Sequence, residues 1–135
     1  MSLLDNSAVI PDILLGFSTT QPDKKHQYLI AVEYDAGTEN PQYFGRDKVK
    51  KYADALHTGH PLFSNQNLRV IVFADSRKRI LQLIRHSMKF LDSCMGFLFG
   101  ALDDLRFKED FFAEIYIDPF RNKTPEENVL CSFLQ

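Results

Sequence analysis

A single α/β domain over residues 1–135, built as a mixed β-sheet flanked by helices, is the fold class this sequence predicts. Three observations carry it. Apolar runs of strand length alternate with segments whose apolar residues recur every three or four positions, the pattern of strands joined by crossover helices. The 135 residues, 44% hydrophobic and 25% charged, suit one globular domain with its own core. The longest apolar runs, such as Tyr28–Val32, are far shorter than the ~20 residues of a membrane span.

Residues 11–18 read as the first strand, with Pro11 at its start, where a missing N–H is tolerated. Thr19–Lys25 reads as a polar turn around Pro22-Asp23. His26–Asp35 is the strongest strand of the chain. Tyr28, Ile30, Val32 and Tyr34 share one face; Leu29, Ala31, Glu33 and Asp35 share the other. Both faces are apolar up to the acidic end, which predicts a central strand covered on both sides and paired with 11–18 as a hairpin. After a turn at 36–41, Phe44, Lys48, Val49, Tyr52, Ala53 and Leu56 recur at helical spacing, predicting a helix over 42–57 stopped by Gly59 and Pro61. Leu68–Ala74 is a β-branched run that reads as a buried strand. Asp75 or Ser76 can cap a helix over 76–91, with Ile80, Leu81, Ile84, Met88 and Leu91 as its inner stripe. Gly96–Ala101 and Phe111–Ile117 read as two final strands. In the tail, 118–135, Thr124, Pro125, Glu126 and Glu127 mark the start of a short helix.

The net charge of -2 hides an uneven distribution. Residues 1–40 carry 2 basic and 6 acidic side chains, residues 41–100 carry 10 and 4, and residues 101–135 carry 4 and 8. A basic middle segment suggests a cationic face beside acidic ones. Helix 76–91 concentrates it, with Lys78, Arg85 and Lys89 near one face and Arg77 and Arg79 in the first turn. Basic residues there oppose the helix dipole, so a nearby anion would help, and a DNA phosphate is one candidate. A solvated outer face is the alternative. Cys94 and Cys131 form no metal-type pair and read as reduced thiols of a cytoplasmic protein. His57-x-x-His60 has metal-like spacing but no third ligand nearby.

The chemistry, if there is any, gathers at Asp12, Glu33 and Asp35. Glu33 and Asp35 lie on one face of a strand, and the hairpin brings Asp12 alongside. Carboxylates this close need protons, a lysine or a cation. Mg²⁺ (or Mn²⁺) fits, because it binds through one or two carboxylates and keeps room for a phosphate. Lys48 and Tyr52, one turn apart, sit on the helix that follows and can reach over the cluster. The plain alternatives are solvated carboxylates at a strand end, a surface lysine and a core tyrosine.

Pro11-Asp12, then Val32-Glu33-Tyr34-Asp35, then Lys48-x-x-x-Tyr52 resembles the PD-(D/E)xK nuclease superfamily. Many members carry a lysine two residues after the glutamate. Asp35 occupies that position here, and the resemblance implies that Lys48 takes the role. Over about 11–107 the chain looks most like the plasmid replication-relaxation family. That likeness runs through Pro-Asp-Ile-Leu-Leu, Glu-Tyr-Asp-Ala-Gly-Thr-Glu, Val70–Phe73 and Phe97–Leu102. The resemblance implies a restriction-endonuclease-like core, a DNA partner, and metal-dependent phosphodiester hydrolysis with Asp12, Glu33, Asp35, Lys48 and Tyr52 at the site. A non-catalytic DNA- or protein-binding module in plasmid replication control is the competing expectation. Relatives of that family usually carry a winged helix ahead of this domain, and this chain starts too late to hold one. A separate winged-helix module or a second copy of the chain is therefore the expected partner.

Overall fold

A computed structural model describes residues 10–21, 24–59, 68–121 and 130–132. Five strands form one mixed sheet in the order β1-β2-β3-β4-β5, with three helices packed on it. The α/β expectation holds.

Strands β1 (Ile13–Gln21) and β2 (Lys24–Asp35) form the antiparallel hairpin, with Ile13 opposite Val32. Both strands run further into the turn than the sequence suggests, so most of 19–25 is paired; Pro22-Asp23 lies outside the described residues. Helix α1 follows as three stretches: a first turn Pro41–Tyr43, a π-helical stretch Phe44–Val49, and an α-helical stretch Lys50–Thr58. Asn40 caps it by accepting from the Gln42 N–H at 3.0 Å, and Gly59 ends it in the left-handed region at φ 75°. Strand β3 (Leu68–Ala74) runs parallel to β2. Helix α2 (Arg77–Ser87) then leads to β4 (Phe97–Ala101), parallel to β3. Ser76, not Asp75, caps α2, its hydroxyl accepting from the Arg79 N–H at 3.2 Å. The expected 76–91 helix ends early, its last residues forming a 3₁₀ turn at Met88–Phe90.

Two successive crossovers of the same hand place α1 and α2 on one face. Val49, Tyr52 and Ala55 of α1 and Ile80, Leu83 and Ile84 of α2 pack there against Ala31, Val70, Val72, Phe97 and Phe99. β3 is the central strand and almost wholly buried; β2, expected at the centre, lies one place nearer the edge. The opposite face holds Ile30, Val32, Ile71, Phe73, Leu98 and Tyr116, a core that Leu102, Leu105 and Phe111 help to cover.

The C-terminal third departs most from expectation. A third helix, α3 (Leu102–Lys108), follows β4 directly, and the expected strand over 111–117 shrinks to β5 (Tyr116–Ile117). The apolar residues of 111–115 serve as packing, not pairing: the Phe111 ring packs at a tilt on Phe73 and edge-to-face on Tyr116. Cys131 buries its side chain and bridges Tyr116 through backbone hydrogen bonds of 2.8 and 3.0 Å. The tail helix expected from Thr124, His60, Phe63 and the side chains of Phe17 and Cys94 lie outside the described residues.

Helices α1 and α2 meet backbone to backbone at Gly45. A Cβ built there would run into the main-chain carbonyl of His86. We expect Gly45→Ala to destabilise the fold by about 1–2 kcal/mol in thermal unfolding, the clash outweighing the better helix propensity of alanine.

Candidate functional site

The β1–β2 register places Asp12 beside Glu33, because Ile13 faces Val32. Asp12 Oδ2 accepts from the Tyr34 N–H at 2.9 Å, which fixes the chain ahead of β1 against β2. Glu33 projects from β2 toward the helix-covered face and is only 2% exposed. Tyr52 of α1, also buried, donates its hydroxyl to Glu33 Oε1 at 2.7 Å. Lys48 sits one turn earlier, on the π-helical stretch, with Nζ 3.9 Å from Glu33 Oε2. Its side chain is half-exposed, so it spans from the carboxylate to solvent. A wide turn of this kind shifts the helix face relative to an ordinary α-helix, a device frequent at functional sites.

Glu33 Oε2 is buried and takes no hydrogen bond among the described residues. Such an atom costs ~1–3 kcal/mol and calls for an explanation. The Glu33 carboxyl is raised to about 7: burial raises it most, the Tyr52 hydroxyl and the Lys48 charge lower it, and neighbouring Asp12 raises it further. Burial and then the Glu33 contact raise the Tyr52 phenol, which therefore stays a donor at neutral pH. A pocket of about 170 Å³ opens over this group, lined by Ile10, Glu33, Lys48, Lys51 and Tyr52. A larger cavity of about 370 Å³ shares Lys48 as a wall and extends past Asp35, Glu39, Tyr43 and Asp47. Lys51 escaped the sequence reading, although it follows Lys48 by three positions and so shares its side of the helix.

Asp35 does not join Glu33. Arg79 of α2 grips it as a fork, Nε to Oδ2 at 2.7 Å and Nη2 to Oδ1 at 3.1 Å, and the Gly37 N–H donates to Oδ2 at 3.0 Å. Arg79 Nη2 also donates to the Glu39 carbonyl at 2.6 Å. Of the expected metal set of Asp12, Glu33 and Asp35, the first two lie side by side at the open end of the β1–β2 hairpin, while Asp35 is engaged by Arg79. No group of three or more His, Cys, Asp or Glu side chains suited to a metal occurs among the described residues. The physical reason is that an arginine matches a carboxylate with two directed hydrogen bonds and takes up its charge.

The basic first turn of α2 likewise finds its anions within the chain. Arg77 pairs with Asp104 at 2.9 Å and Arg79 with Asp35. Lys78, Arg85 and Lys89 are exposed, with Lys89 lying over the Phe90 ring at 5.1 Å. Among the described residues no helix is long and apolar enough to cross a membrane. No family model, curated protein or solved structure matches the chain.

Chemically, the assembled group is a buried carboxyl that titrates near neutrality, held by a phenol and faced by a lysine at the floor of an open pocket. Such a carboxyl can take or give a proton at neutral pH, and its oxygen without a hydrogen bond can face a cation, as it already faces Lys48.

Proposed function

We propose that the chain is a DNA-associated, nuclease-like domain with a restriction-endonuclease-like core, of the kind that serves plasmid or mobile-element replication. Its site is the Glu33 pocket, and its reaction is phosphodiester hydrolysis with Mg²⁺ or Mn²⁺. The observation that carries this reading is Glu33 Oε2: a buried carboxylate oxygen without a hydrogen bond among the described residues, faced by Lys48 at 3.9 Å and opening on a pocket lined with lysines.

The donor set fits a hard cation held loosely. Glu33 Oε2 and one Asp12 oxygen would hold it, with water filling the remaining positions, as suits Mg²⁺. Bound there, the ion would supply an acidified water and neutralise charge on the phosphoryl group. Tyr52 keeps the Glu33 carboxylate in place through its hydroxyl. Lys48, which lines the pocket, would hold a phosphate oxygen or orient the attacking water, and Lys51 beside it would attract the backbone. Lys78, Arg85 and Lys89 are the further phosphate contacts of this reading. Asp35 takes a structural part.

Cleavage assays on supercoiled, nicked and branched DNA test this. We expect Mg²⁺-dependent hydrolysis that falls by at least ~100-fold in both Glu33→Ala and Lys48→Ala. The second reading, a non-catalytic DNA- or protein-binding module in replication control, draws on Asp35, whose charge Arg79 already takes up. It wins if the wild type binds DNA and cleaves none of these substrates.

A further inference from the structure

The two edges of the sheet are not alike. At one edge, β5 is two residues long and is covered by the Tyr116–Cys131 bridge. At the other, among the described residues, β1 offers nine residues paired only on their inner side, to β2. An edge of that length is a template for pairing, and proteins ordinarily blunt it with lysines, prolines or bulges. β1, Ile-Leu-Leu-Gly-Phe-Ser-Thr-Thr-Gln, has no charged residue and no proline.

The aliphatic side chains at its start are also poorly covered. Ile13, Leu14 and Leu15 are 52%, 49% and 40% exposed, and Ile10 just ahead is 80% exposed. Successive residues of a strand point to opposite faces, so the edge is apolar both above and below the sheet. Among the described residues, three consecutive aliphatic side chains are thus left half-exposed at one edge.

We propose that β1 is a homodimerisation edge, on which a second copy of this chain docks by antiparallel β1–β1 pairing. The occupant follows from charge and symmetry. An uncharged strand meets its own copy with no like charges opposed, whereas the lysines and carboxylates common on a foreign strand would find no counter-charge on β1. Antiparallel pairing of identical strands is a closed two-fold contact, so it ends at a dimer and does not grow into a filament. The two-fold axis stands normal to the sheet, which keeps the helix-covered faces of both copies on one side. Both Glu33 pockets then open on that side, each near the shared edge through Ile10. The proposal does not depend on catalysis or on DNA.

Sedimentation equilibrium across a concentration series, together with hydrogen exchange of the β1 amides, tests it on the full chain. We expect a reversible dimer whose β1 amides gain protection as concentration rises. Leu14→Lys, placed on a half-exposed site that tolerates charge in the monomer, raises the dimer dissociation constant at least ~tenfold. Leu15→Lys does the same from the other face of the strand, and circular dichroism confirms that both variants stay folded. A chain that remains monomeric at every concentration overturns the proposal. So does a dimer that survives both substitutions with β1 exchange unchanged.

Discussion

Arg79→Ala is expected to lower the stability of the fold by about 3 kcal/mol, or roughly 10 °C in melting temperature for a domain of this size. The pair it breaks is largely shielded from water: the Arg79 side chain is 15% exposed and that of Asp35 is 8% exposed. Removing the guanidinium leaves the Asp35 carboxylate with the Gly37 N–H and strips the Glu39 carbonyl of its 2.6 Å donor. An anion left half-desolvated costs more than the pair itself contributes, which is why the truncation is severe. The same contact ties three parts of the fold together: the end of β2, the 36–39 turn and the first turn of α2. Arg79→Lys keeps the charge but not the fork, so it falls between wild type and alanine. Chemical denaturation of the three proteins at one pH measures this order. An alanine variant within 1 kcal/mol of wild type would mean that solvent already screens the pair.

That pair also marks where sequence reasoning stops. The strands β1 to β4 and both crossover helices were readable, because each buries a face whose apolar residues follow its own period. Glu33, Lys48 and Tyr52 were readable as neighbours for the same reason: alternation sets the face of Glu33, and helical spacing puts Lys48 and Tyr52 on one side of α1. Asp35 shares its face with Glu33, and alternation alone predicts a common site. What separates the two is Arg79, which lies 44 residues further along and reaches Asp35 only because β3 and α2 pack beside β2. No local pattern encodes that partner. Helix α3 went unread because seven residues are too few for periodicity, although Asp103 and Asp104 in its first turn and Arg106 and Lys108 in its last match the helix dipole. The strand expected at 111–117 failed because aromatic side chains serve a core equally well from an irregular segment.

Glu33 supplies the second large effect, on the pH dependence of stability. Its carboxyl titrates near 7 in the folded protein and near the ordinary 4.5 when the chain is unfolded. The folded state therefore binds this proton more tightly. The stabilisation is fully present below pH 4.5 and is lost as pH rises through about 7, because ionising Glu33 charges a buried oxygen that has no hydrogen bond. The separation corresponds to about 3 kcal/mol. Other carboxylates titrate over the same range, so the signal to measure is the difference between wild type and Glu33→Gln. Glutamine keeps the shape and can still accept the Tyr52 hydroxyl, but it cannot ionise. Wild type should lose about 3 kcal/mol relative to Glu33→Gln between pH 4.5 and pH 7, and hold that deficit above. Mg²⁺ adds an independent check on the site. A cation at Glu33 Oε2 favours the ionised carboxylate, so saturating Mg²⁺ should shrink the deficit in wild type and leave Glu33→Gln unmoved. A deficit that persists unchanged in Mg²⁺ would leave Glu33 as a buried acid served by Lys48 and Tyr52 alone, and would remove the metal from the proposed chemistry.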